Sequence, residues 1–294
     1  MKLLRAATLT VADPEATATR YGQWLDYSIV ERGILPVGLA TAWGCPDSAG
    51  RAYIIMRPAS GAAVFLRFVA GDPVPDYRPL RTFGWAALEI CVQDVMKVNE
   101  RMLESPFQII GPPRRNDGLP TIHPMQVRGP DGEIVYLTQI NSDLPAFDLP
   151  RADSLIDKLF ILVMACSDMV ASIDWFGTAV GLPLGERLDI PYTMLSAAFG
   201  LPAEHKHTIS TIVHDRDIFL ELDQYPPAAT PRPAHAGQLP PGIAICTLSH
   251  PDLSMVRGDW ITPPVRRDGP LYDGRLTGTL TAPDGTLLEL VQSG

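Results

Sequence analysis

The sequence predicts an α+β protein in which a βαβββ unit occurs four times. An alternating apolar run, an amphipathic stretch and a second extended run open the chain, and the same order returns near Leu159. A Pro-Asp-Gly turn between strand-like runs lies late in each half. The 29 prolines, about twice the average share of ~5%, favour short elements separated by stiff turns over long helices.

The repeated order of elements indicates an internal duplication. Asp13 and Asp168 precede the two amphipathic stretches, and the features around them keep the same offset of 155 residues. Asp, Pro and Ser are frequent between the two repeats, as expected of a linker. The sequence therefore divides into an N-terminal half, a linker and a C-terminal half: 1–146, 147–154 and 155–294.

Each half divides again into two units. In the first half a strand over 62–69 closes one group of strands, and a new strand, GWAALEICV, leads into an amphipathic helix over 93–104. In the second half the run over 218–226 closes a group, and GIAICTLS opens the next. The last unit has a shortened, poorly helical connection after His250 and Pro251.

Composition and charge restrict the class of partner. Lys and Arg number 24 against 33 Asp and Glu, and the net charge of −9 argues against nucleic acid or an anionic membrane. The four cysteines lie far apart without a CxxC pair, which is typical of reduced, buried thiols. The most apolar run, 159–166, is far shorter than the ~18–20 residues of a membrane span. We therefore expect a cytoplasmic protein that binds a small organic molecule, and a homo-oligomer is left open.

Four βαβββ units, each opened by an apolar strand and closed in each half by a Pro-Asp-Gly hairpin, resemble the vicinal oxygen chelate superfamily. That superfamily includes glyoxalase I, bleomycin-resistance proteins and extradiol dioxygenases. The resemblance covers essentially the whole chain, and its most specific motifs are the turns at 130–132 and 283–285 and the Phe-Leu-Glu-Leu run at 219–222. It implies that pairs of units form two cup-shaped mixed sheets. It also implies a divalent metal at the floor of a cup, held by His, Glu or Gln side chains.

The positions that the resemblance assigns to metal ligands contain no histidine. On the opening strands these positions are Ala6, Ala87, Ile161 and Ile243. On the closing strands they are Arg67, Tyr136, Glu221 and Glu289. Because Fe, Zn and Ni prefer imidazole among their ligands, we expect no cofactor. A divalent metal held by the two glutamates with carbonyls and water is the weaker alternative.

Arg67, His123 and Tyr136 form the first candidate catalytic set. The hairpin around 131–132 is expected to place Met125 opposite Tyr136 and His123 on the same face of the sheet. One cup would then contain a guanidinium to hold an anion, an imidazole to move a proton and a phenol to support an oxyanion. The structural alternative is an edge-strand arginine, a surface histidine and a core tyrosine.

Glu221 and Glu289 form the second candidate catalytic set. Two carboxyl groups buried together raise the pKa of one of them, which gives a general acid beside a base. The alternative is that both are relics of a metal site, now solvated or paired with Arg187 or Lys206. Aromatic and sulfur side chains are expected to form an apolar wall for the ligand, unless they belong to the core: Phe65, Trp85, Met125 and Phe219.

These features together predict a glyoxalase-like or extradiol-dioxygenase-like enzyme that acts on a small carbonyl, enol or aromatic compound. The expected chemistry is acid–base catalysis of isomerase or lyase type without the usual metal triad. Two alternatives stay open. One is a metal-free binding protein of the bleomycin-resistance type, and the other is a metal-dependent dioxygenase with unusual ligands.

Overall fold

The computed structural model describes residues 3–115, 120–144, 147–182 and 184–293. The first half contains two modules. Module 1 consists of β1 (Leu4–Val11), α1 (Pro14–Leu25), β2 (Tyr27–Ile34), the short α2 (Val37–Ala42), β3 (Ala52–Pro58) and β4 (Phe65–Ala70). Module 2 consists of β5 (Gly84–Val92), α3 (Val95–Leu103), β6 (Gln108–Gly111), β7 (Ile122–Arg128) and β8 (Ile134–Ile140).

The second half repeats this order with small variations. Module 3 consists of β9 (Ile156–Cys166), α4 (Met169–Trp175), β10 (Leu184–Pro191), α5 (Thr193–Phe199), β11 (Lys206–His214) and β12 (Asp217–Gln224). Module 4 consists of β13 (Gly242–His250), β14 (Val265–Arg267), β15 (Arg275–Thr281) and β16 (Leu287–Gln292). None of the helices among the described residues is long and apolar enough to span a membrane.

An aspartate begins the helical connection of every module. The Asp13 carboxylate accepts hydrogen bonds from backbone N–H groups in the first turn of α1, and Asp94 and Asp168 act in the same way on α3 and α4. In module 4, Asp252 caps only one 3₁₀ turn, Leu253–Met255. Module 4 therefore has the shortened connection that its sequence predicts.

Within the described residues, the sixteen strands named above form two curled sheets of eight strands each. One sheet has the order β14-β15-β16-β13-β1-β4-β3-β2, and the other has the order β10-β11-β12-β9-β5-β8-β7-β6. We call the concave face of the first sheet, from modules 1 and 4, the terminal cup. The concave face of the second sheet, from modules 2 and 3, is the central cup. The α+β class with four βαβββ modules in two cups is thus confirmed.

The pairing of the modules corrects the expected grouping of the site residues. Arg67 and Glu289 belong to the terminal cup, whereas His123, Tyr136 and Glu221 belong to the sheet of the central cup. Each sheet takes one module from each half, because β1 pairs antiparallel with β13 and β5 with β9. All four opening strands are apolar. Their side-chain alternation fixes the buried face of each strand and leaves the choice of neighbouring strand open.

A large hydrophobic core combines the convex sides of both sheets with α1, α3 and α4. Two smaller apolar clusters lie within the cups. The cluster of the terminal cup contains Trp43, Phe65 and Tyr272, and that of the central cup contains Tyr136 and Met194. Each cup therefore has its own apolar wall, separate from the shared core.

Candidate functional site

Strand register identifies the neighbours of the four closing-strand residues. In the terminal cup Arg67 lies beside Thr8 and Glu289 beside Thr247. In the central cup Tyr136 lies beside Glu89 and Glu221 beside Val163. These neighbours replace the opening-strand positions expected from the sequence, which were Ala6, Ala87, Ile161 and Ile243. None of the four neighbours is a histidine.

A buried ion pair forms the floor of the terminal cup. Arg67 and Glu289 are 1% and 0% exposed, and an Arg67 guanidinium nitrogen lies 3.4 Å from Glu289 Oε2. Trp43 Nε1 donates to Glu289 Oε1 at 2.8 Å, and Thr247 Oγ1 donates to Glu289 Oε2 at 2.9 Å. Both carboxylate oxygens are therefore hydrogen-bonded, as a buried charge requires.

Tyr272 connects the two charges of this pair. The Arg67 guanidinium donates to the Tyr272 hydroxyl at 2.6 Å, and that hydroxyl lies 3.1 Å from Glu289 Oε1. The Arg67 Cζ atom also lies 4.4 Å from the centre of the Trp43 ring. Burial by itself lowers the pKa of Arg67, but Tyr272 and Glu289 outweigh it and raise that pKa overall. Burial raises the pKa of Tyr272, so its hydroxyl keeps its proton.

A cavity of about 280 Å³ opens above this floor. Arg67 and Tyr272 line its base, and Glu31 and Tyr53 line its wall. The half-buried Glu31 carboxylate accepts a hydrogen bond from the Tyr53 hydroxyl. Burial, followed by this hydrogen bond, raises the pKa of Tyr53 to about 12. The rim carries further charged residues: Arg266, Arg267 and Asp268.

The central cup contains three acidic side chains. Glu89 is buried on β5 and accepts a hydrogen bond of 2.6 Å from Thr138 Oγ1. Glu221 and Asp223 are two residues apart on β12, so both side chains lie on the concave face. Burial raises the pKa of Glu89 to about 8 and that of Asp223 to about 7. Burial, and next the charge of Asp223, raises the pKa of Glu221.

Tyrosine and histidine side chains surround these acids. Tyr192, at the start of α5, donates to the Tyr136 hydroxyl at 2.6 Å. The two rings meet edge to face with centroids 6.3 Å apart. His207 on β11 is buried and lies 2.9 Å from Ser196 Oγ, although its polar sequence context predicts exposure to solvent. Burial lowers the pKa of His207, which favours the neutral imidazole.

His123 lies outside both cups. The β7–β8 hairpin places His123 opposite Gln139 and Gln126 opposite Tyr136, one residue away from the expected register. Gln139 accepts a hydrogen bond from the Val95 N–H at the start of α3, so this face of the sheet is the convex one. His123 and Tyr136 therefore point to opposite sides of the sheet, and the expected catalytic set of Arg67, His123 and Tyr136 is not assembled.

The expected apolar walls are only partly found. Met125 faces Leu137 on the convex side, and Trp85 and Phe219 are also buried in the core shared by both sheets. Trp85 Nε1 donates to the Leu287 carbonyl oxygen at 2.9 Å, which fixes the ring away from the cups. Phe65 belongs to the apolar cluster of the terminal cup.

Other polar residues of the cups were missed from the sequence. Glu89 is a charged residue in the middle of an apolar strand, and Asp223 shares the alternation of Glu221, so both carried a readable signal. No such sequence signal marked three further residues of the terminal cup: Trp43, Tyr53 and Tyr272. They reach the terminal cup from a helix end, a neighbouring strand and a loop, and only the fold brings them together.

The donor sets of the two cups do not fit the metal that the resemblance implies. In the terminal cup both Glu289 oxygens take hydrogen bonds and a guanidinium lies beside them, so a divalent cation would meet a positive charge. In the central cup the acidic side chains lie among phenol oxygens, and the His207 imidazole is engaged with the Ser196 hydroxyl. Among the residues that the structure describes, no three His, Cys, Asp or Glu side chains are grouped closely enough to hold a metal ion.

Comparison with known proteins supports the architecture. No protein-family model matches the chain, and no curated protein matches it. Glyoxalase I from Zea mays superposes with a TM-score of 0.65 at 18% identity, over 99% of this chain and 92% of that one. A candidate dioxygenase from Bacillus subtilis superposes with a TM-score of 0.61 at 11% identity, over 99% of this chain and 86% of that one. The chain therefore has the vicinal oxygen chelate fold, in its internally duplicated, four-module form.

Proposed function

We propose that the protein is an enzyme that moves a proton on a small anionic carbonyl or enol compound bound in the terminal cup. The reaction would be acid–base chemistry of isomerase or lyase type. The observation that carries this proposal is the cavity of about 280 Å³ with Arg67 at its base and Glu31 on its wall. The two structural neighbours described above have enzyme names, which supports a catalytic use of this fold.

Arg67 would bind the oxygen on which negative charge develops. A guanidinium has five N–H donors, and the three hydrogen bonds of Arg67 go to Thr8, Tyr272 and Glu289. One N–H on each terminal nitrogen is left for a ligand. Because the guanidinium is held on three sides and covered by Trp43, it needs little reorganisation when an enolate forms.

Glu31 would act as the general base. Its carboxylate is half-buried in the cavity wall, and the Tyr53 hydroxyl holds one of its oxygens in place. Glu31 would take a proton from the carbon next to the substrate carbonyl, and the electron pair of that C–H bond would pass to the carbonyl oxygen. In a substrate with a C=C bond between its β- and γ-carbons, Glu31 would return the proton to the γ-carbon while the carbonyl re-forms, which moves the double bond into conjugation, so Glu31 serves as base and then as acid.

Deuterium exchange tests this proposal directly. The full-length protein is incubated in D₂O with a panel of 2-oxo and 3-oxo carboxylates, and loss of the C–H signal is followed by proton NMR. We expect catalysed exchange for at least one compound, and Glu31→Gln should slow it by about 10²-fold or more. A chelator should leave the rate unchanged, because no step of this mechanism uses a metal.

The test includes a matched control variant and two outcomes that would contradict the proposal. Glu100→Gln removes an exposed carboxylate from α3 and should leave the exchange rate unchanged. Saturable binding without exchange would contradict catalysis and support the alternative of a sequestering protein. Exchange that Glu31→Gln leaves unchanged would remove Glu31 from the mechanism.

A further inference from the structure

The cavity of the terminal cup has a guanidinium group at its base and two more at its mouth. Arg67 lies at the buried base, and Arg266 and Arg267 of β14 line the rim. Arg67 is balanced by Glu289. Among the residues that the structure describes, neither rim arginine forms an ion pair. The mouth therefore presents positive charge that the described carboxylates do not neutralise by direct contact.

Arg267 is held at the mouth by a contact between the two ends of the sheet. Its guanidinium donates to the Gly38 carbonyl oxygen of α2 at 3.1 Å, and β14 and β2, the strand before α2, are the two edge strands of this sheet. Arg267 is half-buried, and its other N–H groups make no hydrogen bond to the described part of the chain. The exposed Arg266 instead donates to the Gly274 carbonyl oxygen of its own hairpin at 3.0 Å. Arg267 is therefore the better placed of the two to bind a ligand.

Glu31 lies on the wall between the base and the mouth. Strand register places Glu31 opposite Ile55 and Ile55 opposite Arg67 on three neighbouring strands. Because neighbouring strands lie about 4.8 Å apart, Glu31 is about 10 Å across the sheet from Arg67. Gly269, two residues beyond Arg267, lies beside Glu31 Oε2. Apolar side chains line the same cavity: Leu35, Leu39 and Leu271.

We infer that the substrate of the terminal cup is a short oxo dicarboxylate whose second carboxylate binds Arg267 at the mouth. This inference rests on the proposed function. The oxo end would lie at Arg67, and the far carboxylate would accept charge-assisted hydrogen bonds from the N–H groups of Arg267 that no protein oxygen takes. The uncharged carbons between the two ends would lie beside Glu31, which removes the proton. A compound with a single carboxylate would leave Arg267 without an anionic partner.

The size and charge of the cavity favour this class of compound. A volume of about 280 Å³ is just below the ordinary range of about 300–1,000 Å³ for ligand pockets, so the cavity suits a compound of a few carbon atoms. Glu31 would repel an anionic group placed midway along the wall, so the two carboxylates belong at the two ends. Asp268 also lines the rim, but two arginines outnumber it and the mouth keeps a net positive charge.

Isothermal titration calorimetry of the full chain with two unreactive ligands tests this inference. Glutarate has a carboxylate at each end of its carbon chain, and butyrate is the same chain with one carboxylate replaced by hydrogen. At an ionic strength of about 0.15 M, which screens weak attraction to exposed charges, glutarate should bind about tenfold more tightly than butyrate or better. This comparison uses the unmodified chain, so it decides the question even if a variant fails to fold.

A variant and a matched control assign the preference to Arg267. Arg267→Gln should lower the affinity for glutarate about tenfold and leave the affinity for butyrate unchanged. Arg57→Gln removes an exposed guanidinium of β3 that does not line the cavity, and it should change neither affinity. In the exchange reaction, Arg267→Gln should raise the concentration of an oxo dicarboxylate that gives half-maximal exchange. The rate at saturation should stay nearly the same, because Arg267 binds the end that does not react.

Three results would overturn the inference. They are equal affinities of the unmodified chain for glutarate and butyrate, the absence of saturable glutarate binding, and an equal loss of affinity for both ligands in Arg267→Gln. Failure of the proposed function would instead appear as missing deuterium exchange while glutarate is still preferred over butyrate. Catalysed exchange together with equal affinities for the two ligands would retain the proposed function and reject the dicarboxylate.

Discussion

The two cups share one strand arrangement and differ in the sign of the charge that they bury. Glu289 in the terminal cup and Glu221 in the central cup occupy equivalent closing-strand positions. The other closing strand carries Arg67 in the terminal cup and Tyr136 in the central cup. Because of this one residue difference, the terminal cup contains a neutral ion pair, whereas the central cup stays acidic. The duplicated strand arrangement thus fixes the position of a polar side chain in each cup. The identity of the residue at that position decides what the cup can bind.

This difference predicts that the two cups respond differently to pH. In the terminal cup the Arg67 guanidinium lies beside Glu289, and Tyr272 and Glu289 together outweigh burial and raise the pKa of Arg67. The central acids have no such partner, so burial favours their neutral forms. The terminal cup is therefore suited to an anionic ligand at constant charge. The central cup changes charge near neutral pH.

The largest expected effect follows from removing the internal cation of the terminal cup. Arg67→Met leaves Glu289 buried without its counter-charge and should lower the free energy of unfolding by about 3–5 kcal/mol. Adding Glu289→Gln to this variant should recover much of the loss. Urea denaturation measures both effects. Arg32→Met breaks an exposed pair with Glu15 and is the control, with an expected loss below about 1 kcal/mol. A loss of that small size for Arg67→Met would show that the pair is not needed.

A smaller and pH-dependent effect is expected in the central cup. The raised pKa of Asp223 means that the folded state binds a proton more tightly than the unfolded state does. Its contribution to stability is therefore full below the unfolded pKa of about 4 and is lost as the pH rises towards about 7. Asp223→Asn should raise the free energy of unfolding by on the order of 1–3 kcal/mol at pH 8.5 and change it little at pH 4.

Chemical denaturation at pH 4 and pH 8.5 checks the sign of this change in the free energy of unfolding. Asp143→Asn removes an exposed carboxylate of a surface ion pair and is the matched control, for which we expect no such pH-dependent gain. Equal effects of Asp223→Asn at both pH values would mean that folding does not raise the pKa of Asp223. The central cup would then not differ from the terminal cup in the way described.

The smallest effect is expected outside both cups. His123 lies on the convex face beside Gln139, so His123→Ala should change turnover by less than a few-fold. A general base would instead cost about 10²–10⁴-fold. Steady-state kinetics with a compound found in the exchange screen distinguish these values. A large loss of turnover would indicate that His123 transfers the proton and would refute the assignment of Glu31 as the base.

Local sequence patterns were sufficient for the fold and for part of the cups. The resemblance assigned Arg67, Tyr136, Glu221 and Glu289 to closing strands, and each of them lies on the last strand of its module. The β7–β8 hairpin was misjudged by one residue. Because a shift of one residue exchanges the two faces of a strand, His123 and Met125 lie on the convex face and not in the cup.

The expected pair of acids, Glu221 and Glu289, does not form, because the two residues lie in different sheets. Glu221 meets Asp223 and Glu89 in the central cup, whereas Glu289 lies in the other sheet with Arg67. The pattern of each strand was readable. The partner of each strand was not, since four equivalent opening strands offer more than one way to pair.

The sequence by itself determined the duplication and the order of elements in each module. These features depend on contacts within a strand, a helix or a turn, and their signals span only a few residues. The tertiary structure alone decided that module 1 joins module 4 and that module 2 joins module 3. This pairing brings Trp43 and Tyr272 to the Arg67 and Glu289 pair. Charge neutralisation depends on such long-range neighbours, so the chemical difference between the cups arises only in the folded chain.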